Sequence, residues 1–244
     1  MIANNLLKKE QENKTITYDV GGQQVKLSPQ IIKNYLVNGG GNVSDQEVVM
    51  FLNLCRYQKL NPFLREAYLI KYGSQPATMV TGKDAIIKRA TRNDKYAGSV
   101  AGIIVINADG EIERRTGTFH LKNEELVGGW AKVFVKGYEQ PIENEVSLDE
   151  YIGVKSTGEI NSQWSKKPAT MIRKVALVQA LREAFPEDLQ GMYEAEEMNV
   201  DMNLDTAPIE QPTEAVVEEV KPEKIESKEE DRLTDEFFAG TTES

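Results

Sequence analysis

The amino-acid sequence predicts an α+β fold, in which a small antiparallel sheet packs with helices and an acidic disordered tail follows. Two observations predict the folded part: strand-like segments separated by turn residues lie between Tyr96 and Lys136, and a long helix-forming segment runs from Pro168 to Phe185. A third observation predicts the tail. After Val200, proline and glutamate become frequent and large apolar residues few, which is typical of disordered segments.

The first quarter of the chain begins with polar residues and then carries clear local signals. Thr15–Val20 and Gln24–Leu27 flank a Gly-Gly pair and predict a small hairpin. Ser28, followed by a proline, predicts the cap of a short helix. Ser44 and Glu47 have the spacing of a capping box, which predicts a helix to about residue 59.

The middle of the chain reads mainly as strands. Glu66–Tyr72 and Pro76–Val80 are predicted strands, and a helix is expected from Ala85 to Arg92. Tyr96–Asn107, Glu111–Leu121 and Trp130–Lys136 then predict an antiparallel meander of about three strands, in which Lys132 and Lys136 lie on one side and Val133 and Val135 on the other.

A polar connection is predicted for Glu139–Ile160, with a short helix at Leu148–Tyr151. After the helix that ends at Phe185, a second helix is expected from about Glu187 to Asn199. These assignments divide the chain into an arm and hairpin (residues 1–27), a core (28–199) and an acidic tail (200–244).

Charge is distributed unevenly. The net charge is −10, but the segment Glu194–Ser244 carries 4 basic and 17 acidic residues, which leaves a net charge of +3 on the preceding chain. Chain-wide acidity therefore does not exclude a nucleic-acid partner for the body. The single Cys55 excludes an internal disulfide, and with the single His120 it argues against a zinc cluster or a Ser-His triad. No apolar run is long enough for a membrane span, so a cytoplasmic protein is expected.

Cations interrupt the apolar pattern of the helix predicted from Pro168 to Phe185. Lys174 and Arg182 share a row with Val178 inside the apolar arc. A buried cation needs an anion or a path to solvent. Snorkelling, or pairing with nearby carboxylates, is one interpretation, and a phosphate in a groove with Trp164 and two following lysines is the other. The carboxylates are Glu183, Glu187 and Asp188, and the lysines are Lys166 and Lys167.

Two blocks of residues resemble a known family. The first is Asn61-Pro62-Phe63-Leu64-Arg65-Glu66-Ala67-Tyr68 with Thr81-Gly82-Lys83-Asp84 downstream. The second is Trp164-Ser165-Lys166-Lys167-Pro168, followed by Met171-Ile172-Arg173-Lys174 and Ala180-Leu181-Arg182-Glu183-Ala184-Phe185. In order and spacing they are similar to the phage single-strand annealing proteins of the RecT and Redβ family, and closer to RecT, over roughly Ser28 to Glu197.

The resemblance implies a protein that is not an enzyme. It implies ATP-independent annealing of complementary DNA strands in phage or prophage recombination, by a core similar to that of Rad52. Rings or helical filaments would hold single-stranded DNA, and the annealed duplex intermediate, in a continuous basic groove. The implied partners are a 5′→3′ exonuclease and the host single-stranded DNA-binding protein, in the bacterial cytoplasm. No cofactor is implied, and Mg²⁺ only as a modulator of DNA binding.

The resemblance also suggests site residues. Arg65, Trp164, Arg173 and Arg182 match positions where the family places DNA-groove side chains, and Lys83, Arg89, Lys166, Lys167 and Lys174 are added from charge and local position. For Trp164 a core or subunit-interface role stays open, and for Arg65 a salt bridge to Glu66 or Asp84. Ala169 and Thr170 stand where Redβ has two basic residues. In the tail, Leu233, Phe237 and Phe238 are candidates for binding a partner.

Two rival functions remain. A metal-dependent nuclease would need clustered carboxylates with a lysine, and Asp109, Glu111 and Glu113 are a conceivable cluster but bracket a predicted turn. A scaffold protein without DNA binding is the other. Its absence of salt-dependent DNA binding would distinguish it.

Overall fold

The structure, a computed structural model, describes residues 15–155 and 157–198. Strands β1 (Ile16–Val20) and β2 (Gln23–Leu27) form the predicted antiparallel hairpin. Its turn needs positive φ at Gly21 and Gly22, which glycine adopts without a Cβ clash. Alternate side chains of the hairpin, including Val25 and Leu27, are buried in the main hydrophobic core.

The two predicted caps are both formed. The Ser28 Oγ accepts a hydrogen bond from the Ile31 amide at 3.2 Å at the start of α1 (Pro29–Ile31), which continues as a π-helical turn, Ile32–Leu36. Helix α2 (Asp45–Gln58) begins with the predicted capping box, because Ser44 and Glu47 exchange hydrogen bonds between side chain and backbone amide. It ends at Lys59, whose φ is +55°.

A three-stranded sheet follows. Strands β4 (Ala67–Ile70) and β5 (Thr78–Thr81) are the predicted antiparallel pair. The short strand β3 (Val37–Asn38) joins β4 in parallel and was not predicted, since two residues are too few to show a periodicity. Helix α3 (Lys83–Thr91) starts directly after β5.

The second sheet contains the predicted meander and one strand more. Its order is β7-β6-β8-β9, all antiparallel. The first three strands are β6 (Tyr96–Ile106), β7 (Ile112–Thr116) and β8 (Glu125–Val135). Strand β9 (Ile142–Ser147) lies where a polar connection was predicted, and that prediction was wrong. Helix α4 (Leu148–Tyr151) follows as expected.

The C-terminal helices pack on this sheet. Helix α5 (Ser162–Lys166) precedes α6 (Pro168–Ala184), and α6 lies across β8. The approach is close, because a Cβ placed on Gly129 of β8 would lie 2.5 Å from the Ile172 carbonyl oxygen. Ile172, Val175 and Val178 are fully buried. The α+β prediction is therefore confirmed for the described residues.

The helix predicted from Glu187 to Asn199 is wrong over residues 187–198, which form turns and irregular chain. Pro186 ends the preceding helix, and Gly191 with φ of +75° interrupts any continuation. Leu189 and Met192 are nevertheless buried in the main core. The predicted N-terminal arm before residue 15 and the acidic tail from residue 200 lie outside the described residues. Among the helices of residues 15–155 and 157–198, none has the length and apolarity to cross a membrane.

Candidate nucleic-acid interface

The Asn-Pro-Phe block holds Arg65 in an unusual backbone conformation. The Asn61 side chain accepts a hydrogen bond from the Phe63 amide at 3.1 Å, and the Glu66 carboxylate accepts one from the Asn61 amide at 2.7 Å. Arg65 has φ of +62°, a left-handed conformation that costs a non-glycine residue free energy. The hydrogen bonds on both sides therefore fix the direction in which the Arg65 side chain leaves the backbone.

The Gly-Lys-Asp block packs directly against this turn. The Gly82 amide donates to the Glu66 carbonyl at 3.1 Å, and a Cβ on Gly82 would lie 2.9 Å from the Arg65 carbonyl oxygen. A larger residue at position 82 would therefore push the Gly-Lys-Asp segment away from the turn at Arg65. Lys83 and Arg65 are held near each other by this contact, although 18 positions separate them along the chain.

Tyr68, in the middle of β4, faces the charges of this region. Burial raises the pKa of the Tyr68 hydroxyl, while the positive charges of Arg65 and Lys174 lower it and Asp84 raises it. Arg65, from the first block, and Lys174, from the second, therefore act on the same hydroxyl. The structure thus brings together cations from the two blocks that the resemblance singled out.

Lys174 is paired with two carboxylates near the end of the described chain. Its Nζ lies 2.7 Å from Glu196 Oε2 and 3.8 Å from Glu194 Oε1, and its side chain is only 20% exposed. Lys174 is therefore paired with carboxylates in the free chain, but Glu183, Glu187 and Asp188, the partners considered from the sequence, are not the ones it contacts. The partners differ from those considered, because the carboxylates come from a non-helical segment 20 residues further on.

Arg182 is held by the same segment. Its two terminal nitrogens donate to both oxygens of Glu197, with Nη1 to Oε2 at 2.9 Å, and Nη1 also donates to the Met192 carbonyl at 3.3 Å. The guanidinium lies over the Tyr193 ring at 4.7 Å. Burial lowers the pKa of Arg182, but the hydrogen bond and charge of Glu197 outweigh it and the pKa is raised. Arg182 therefore stays cationic in a partly buried site.

Glu194 lies at the centre of these charges and is 3% exposed. Burial raises its pKa to about 8, with Lys174 and Lys83 acting in the opposite direction and Glu196 and Glu197 adding to the increase. One of its oxygens, Oε2, has no hydrogen-bond partner among the described residues. An unpaired buried oxygen is costly, so this carboxylate is held in an unfavourable environment.

Lys166 and Lys167 are the exposed cations of the second block. They lie at the junction between α5 and α6, and neither forms an ion pair within residues 15–155 and 157–198. Lys167, Lys174 and Arg182 extend over about 22 Å along α6 at 1.5 Å per residue. This is a length that several phosphates of a nucleic-acid strand would cover.

Two other predicted site residues, Arg173 and Arg89, point elsewhere. Arg173 donates from Nε to the Ala101 carbonyl of β6 at 3.1 Å. Arg89 reaches Asp188, with Nε 3.4 Å from its carbonyl oxygen and a terminal nitrogen 3.8 Å from its carboxylate. The structure thus does not bring Arg89 and Arg173 into the group formed by Lys83, Lys174 and Arg182.

Trp164 is a core residue in this structure, and its assignment as a DNA-groove side chain is corrected. It is 2% exposed, and a Cβ on Gly153 would lie 2.9 Å from its Cδ1 atom. Asn161 caps the start of α5, and its Oδ1 accepts a hydrogen bond from the Trp164 amide at 3.1 Å. No ring face is open for a base. The tail candidates Leu233, Phe237 and Phe238 lie outside the described residues.

The carboxylates at the β6–β7 turn, considered above for a metal-dependent nuclease, lie at the surface or form hydrogen bonds with neighbouring side chains. Glu113 accepts hydrogen bonds from Asn107 at 2.7 Å and from Arg115 at 2.9 Å. Asp109 and Glu111 are exposed beside the turn. In the described part of the chain, no three His, Cys, Asp or Glu side chains are grouped as metal ligands.

Sequence reasoning missed the residues that face the cations, namely Tyr68, Tyr193, Glu194, Glu196 and Glu197. A signal was present, since Tyr193-Glu194-Ala195-Glu196-Glu197 places an aromatic ring and three carboxylates within five positions. That run was interpreted as part of a helix and then of an acidic tail. Its return to α6 depends on tertiary contacts.

The structure is an α+β protein in which Lys83, Lys174 and Arg182 are grouped around the carboxylates of Glu194, Glu196 and Glu197. Comparison with known proteins gives the family: the RecT family model matches residues 23–214, and the chain therefore belongs to the RecT family, whose members are DNA-binding single-strand annealing proteins of DNA recombination. An uncharacterized protein of Ureaplasma parvum serovar 3 is 28% identical over 182 residues, which cover 72% of this chain and 73% of that protein.

Proposed function

We propose that the chain anneals complementary DNA strands without nucleotide hydrolysis and without being an enzyme, by holding single-stranded DNA on the cations along α6. The observation that carries the proposal is the grouping of Lys83, Lys174 and Arg182, with Lys166 and Lys167 exposed ahead of them, in a chain of the RecT family. The free energy for annealing comes from base pairing.

The physical role of the cations is to lower repulsion between strands. Two single strands repel through their phosphates, and Lys and Arg neutralise those charges with a free energy that falls steeply as salt rises. Contacts to phosphate carry no base sequence. A strand held by its backbone can present its base edges to a complementary strand, so the protein would accept any sequence.

Oligomerisation is part of the proposal. The chain before Glu194 has a net charge of only +3, which suggests modest affinity for each subunit. A ring or helical filament with a continuous basic groove would add the contacts of neighbouring subunits. We further propose a Rad52-like core, recruitment of a 5′→3′ exonuclease and the host single-stranded DNA-binding protein through the acidic tail, action in the bacterial cytoplasm, and Mg²⁺ only as a modulator.

The test is annealing of two complementary fluorescent oligonucleotides, added one after the other without ATP. The proposal expects the wild-type protein to accelerate pairing. Lys166→Gln/Lys167→Gln should slow it and reduce the slope of log K against log salt by about 1.4, which is about 0.7 for each lost phosphate contact. Both lysines are exposed, so the fold should be retained.

The matched control is Lys95→Gln/Lys122→Gln, which removes the same charge at two other exposed positions. It should anneal nearly as the wild type does. If the two double variants behave alike, Lys166 and Lys167 are not phosphate contacts. If the wild-type protein neither binds nor pairs the strands at low salt, the proposed function is wrong and a scaffold role takes its place.

A further inference from the structure

The segment Tyr193–Glu197, here termed the acidic clamp, is anchored beside the cations by one backbone hydrogen bond to β5 and one small apolar contact in addition to its ion pairs. The Thr81 amide, on the edge strand β5, donates to the Tyr193 carbonyl at 2.7 Å. Ala195 is 2% exposed and packs with Ile70 and Val80 in a small cluster separate from the main core. Ala195, whose side chain is a single methyl group, is thus the buried apolar residue of the clamp.

The clamp presents to the cations what a nucleic-acid strand would present. Glu197 engages Arg182 with both oxygens, a geometry that a phosphate also satisfies. Glu196 engages Lys174 at 2.7 Å. The Tyr193 ring lies against the Arg182 guanidinium at 4.7 Å, in a position that a base could take. The clamp thus places one aromatic face and three carboxylates within five residues.

The clamp is also held at an electrostatic cost. Three carboxylates lie together, Glu194 is almost fully buried, and its Oε2 atom has no hydrogen-bond partner in residues 15–155 and 157–198. Like charges at close range disfavour one another. Release of the clamp would expose Glu194 to water, which offsets part of the loss of the two ion pairs.

We propose that the acidic clamp is an exchangeable occupant of the DNA site: in the free protein it covers Lys174 and Arg182, and the phosphates of single-stranded DNA displace it. This inference rests on the proposed function. Binding then requires the strand to compete with the chain's own carboxylates, which disfavours short or weakly bound nucleic acid. A strand that spans Lys166 to Arg182 supplies enough contacts to win that competition.

The first experiment follows the Thr81 amide of the wild-type full-length protein by hydrogen exchange, with and without a thymidine oligonucleotide. Displacement of the clamp removes the hydrogen bond to the Tyr193 carbonyl, so exchange at Thr81 should become faster when DNA binds. Equal or slower exchange in a demonstrated complex would overturn the proposal, because the clamp would then stay in place.

The second experiment compares Glu196→Gln/Glu197→Gln with Glu183→Gln/Glu187→Gln. Both remove two negative charges, but the control residues are exposed and outside the clamp. The clamp variant should bind the oligonucleotide roughly tenfold more tightly than the control, the equivalent of one charge-assisted contact no longer in competition. Equal affinity for the two variants would overturn the clamp.

The outcomes separate the two proposals. If no variant and no wild-type protein binds the oligonucleotide, the proposed function fails. If the wild type binds with unchanged Thr81 exchange, the function stands and the clamp is structural. If the clamp variant does not fold, as judged by circular dichroism, the wild-type exchange experiment still decides.

Discussion

Gly129 sets the distance between β8 and the helix that carries the candidate DNA site. A Cβ at this position would lie 2.5 Å from the Ile172 carbonyl oxygen and 2.8 Å from its carbon, whereas ordinary contact begins at 3.4 Å. Gly129→Ala therefore forces α6 outward by about 0.9 Å or strains β8. Overpacking of this kind costs about 1–3 kcal/mol. The lower entropy of the unfolded alanine chain returns about 0.4–1 kcal/mol, which leaves a net destabilisation of about 1.3 kcal/mol at the middle of the two ranges.

Thermal unfolding followed by circular dichroism measures this change. For a folded part of this size, 1 kcal/mol corresponds to roughly 2–4 °C, so the Tm should fall by about 3–5 °C. Thr170→Ala, at an exposed position of the same helix, is the control and should change stability by less than about 0.5 kcal/mol. A Tm for Gly129→Ala equal to or above that of the wild type would refute the close approach of α6 to β8.

Two further predictions concern a cap and a buried carboxylate. Ser44→Ala should lower the free energy of unfolding in urea by about 1 kcal/mol, because the Glu47 amide loses its acceptor; the exposed Ser74→Ala should not, and equal effects would contradict the cap. The pKa of Glu194 is raised in the folded state to about 8, from 4.5, so its stabilising contribution is complete below pH 4.5 and is lost as pH rises through 8. In the wild type this carboxyl makes the free energy of unfolding fall by at most about 1.4 kcal/mol for each pH unit over this range. Glu194→Gln should remove that pH dependence. Parallel pH profiles for variant and wild type would contradict the burial of a protonated carboxyl.

Local signals predicted most helix starts and hairpins of this chain. Ser28, Ser44 and Asp109-Gly110 each act through hydrogen bonds or backbone conformations within four residues, so their consequences can be derived without the rest of the fold. The meander followed from strand-forming segments separated by turn residues, and burial alternates along β7. These features are determined by short-range chemistry.

Strand β9 and the segment after Pro186 could not be predicted in the same way. The strand carries Glu143, Asn144 and Glu145, a composition typical of a loop, and is stabilised by pairing with β8 and by ion pairs such as Lys132 with Glu143 at 2.6 Å. Residues 187–198 have helix-forming composition, but burial of Leu189 and Met192 in the core determines an irregular path. In both segments tertiary contacts outweigh local propensity.

The candidate site depends on local sequence and on tertiary contacts. The wrong helix prediction for residues 187–198 left the carboxylates of the site unidentified. The spacing of Lys174 and Arg182 predicted that each needs an anion or a path to solvent, because that requirement follows from burial alone, and the structure pairs each with carboxylates. The identity of the anion depends on the path of the chain beyond Phe185. A helix there would have carried Glu194 and Glu197 along its own axis, whereas the irregular path returns them to α6 and is held by the Thr81 hydrogen bond. Carboxylate and phosphate satisfy the same cations, so the interpretations that stood as alternatives in the sequence are, in our proposal, two successive states of one site.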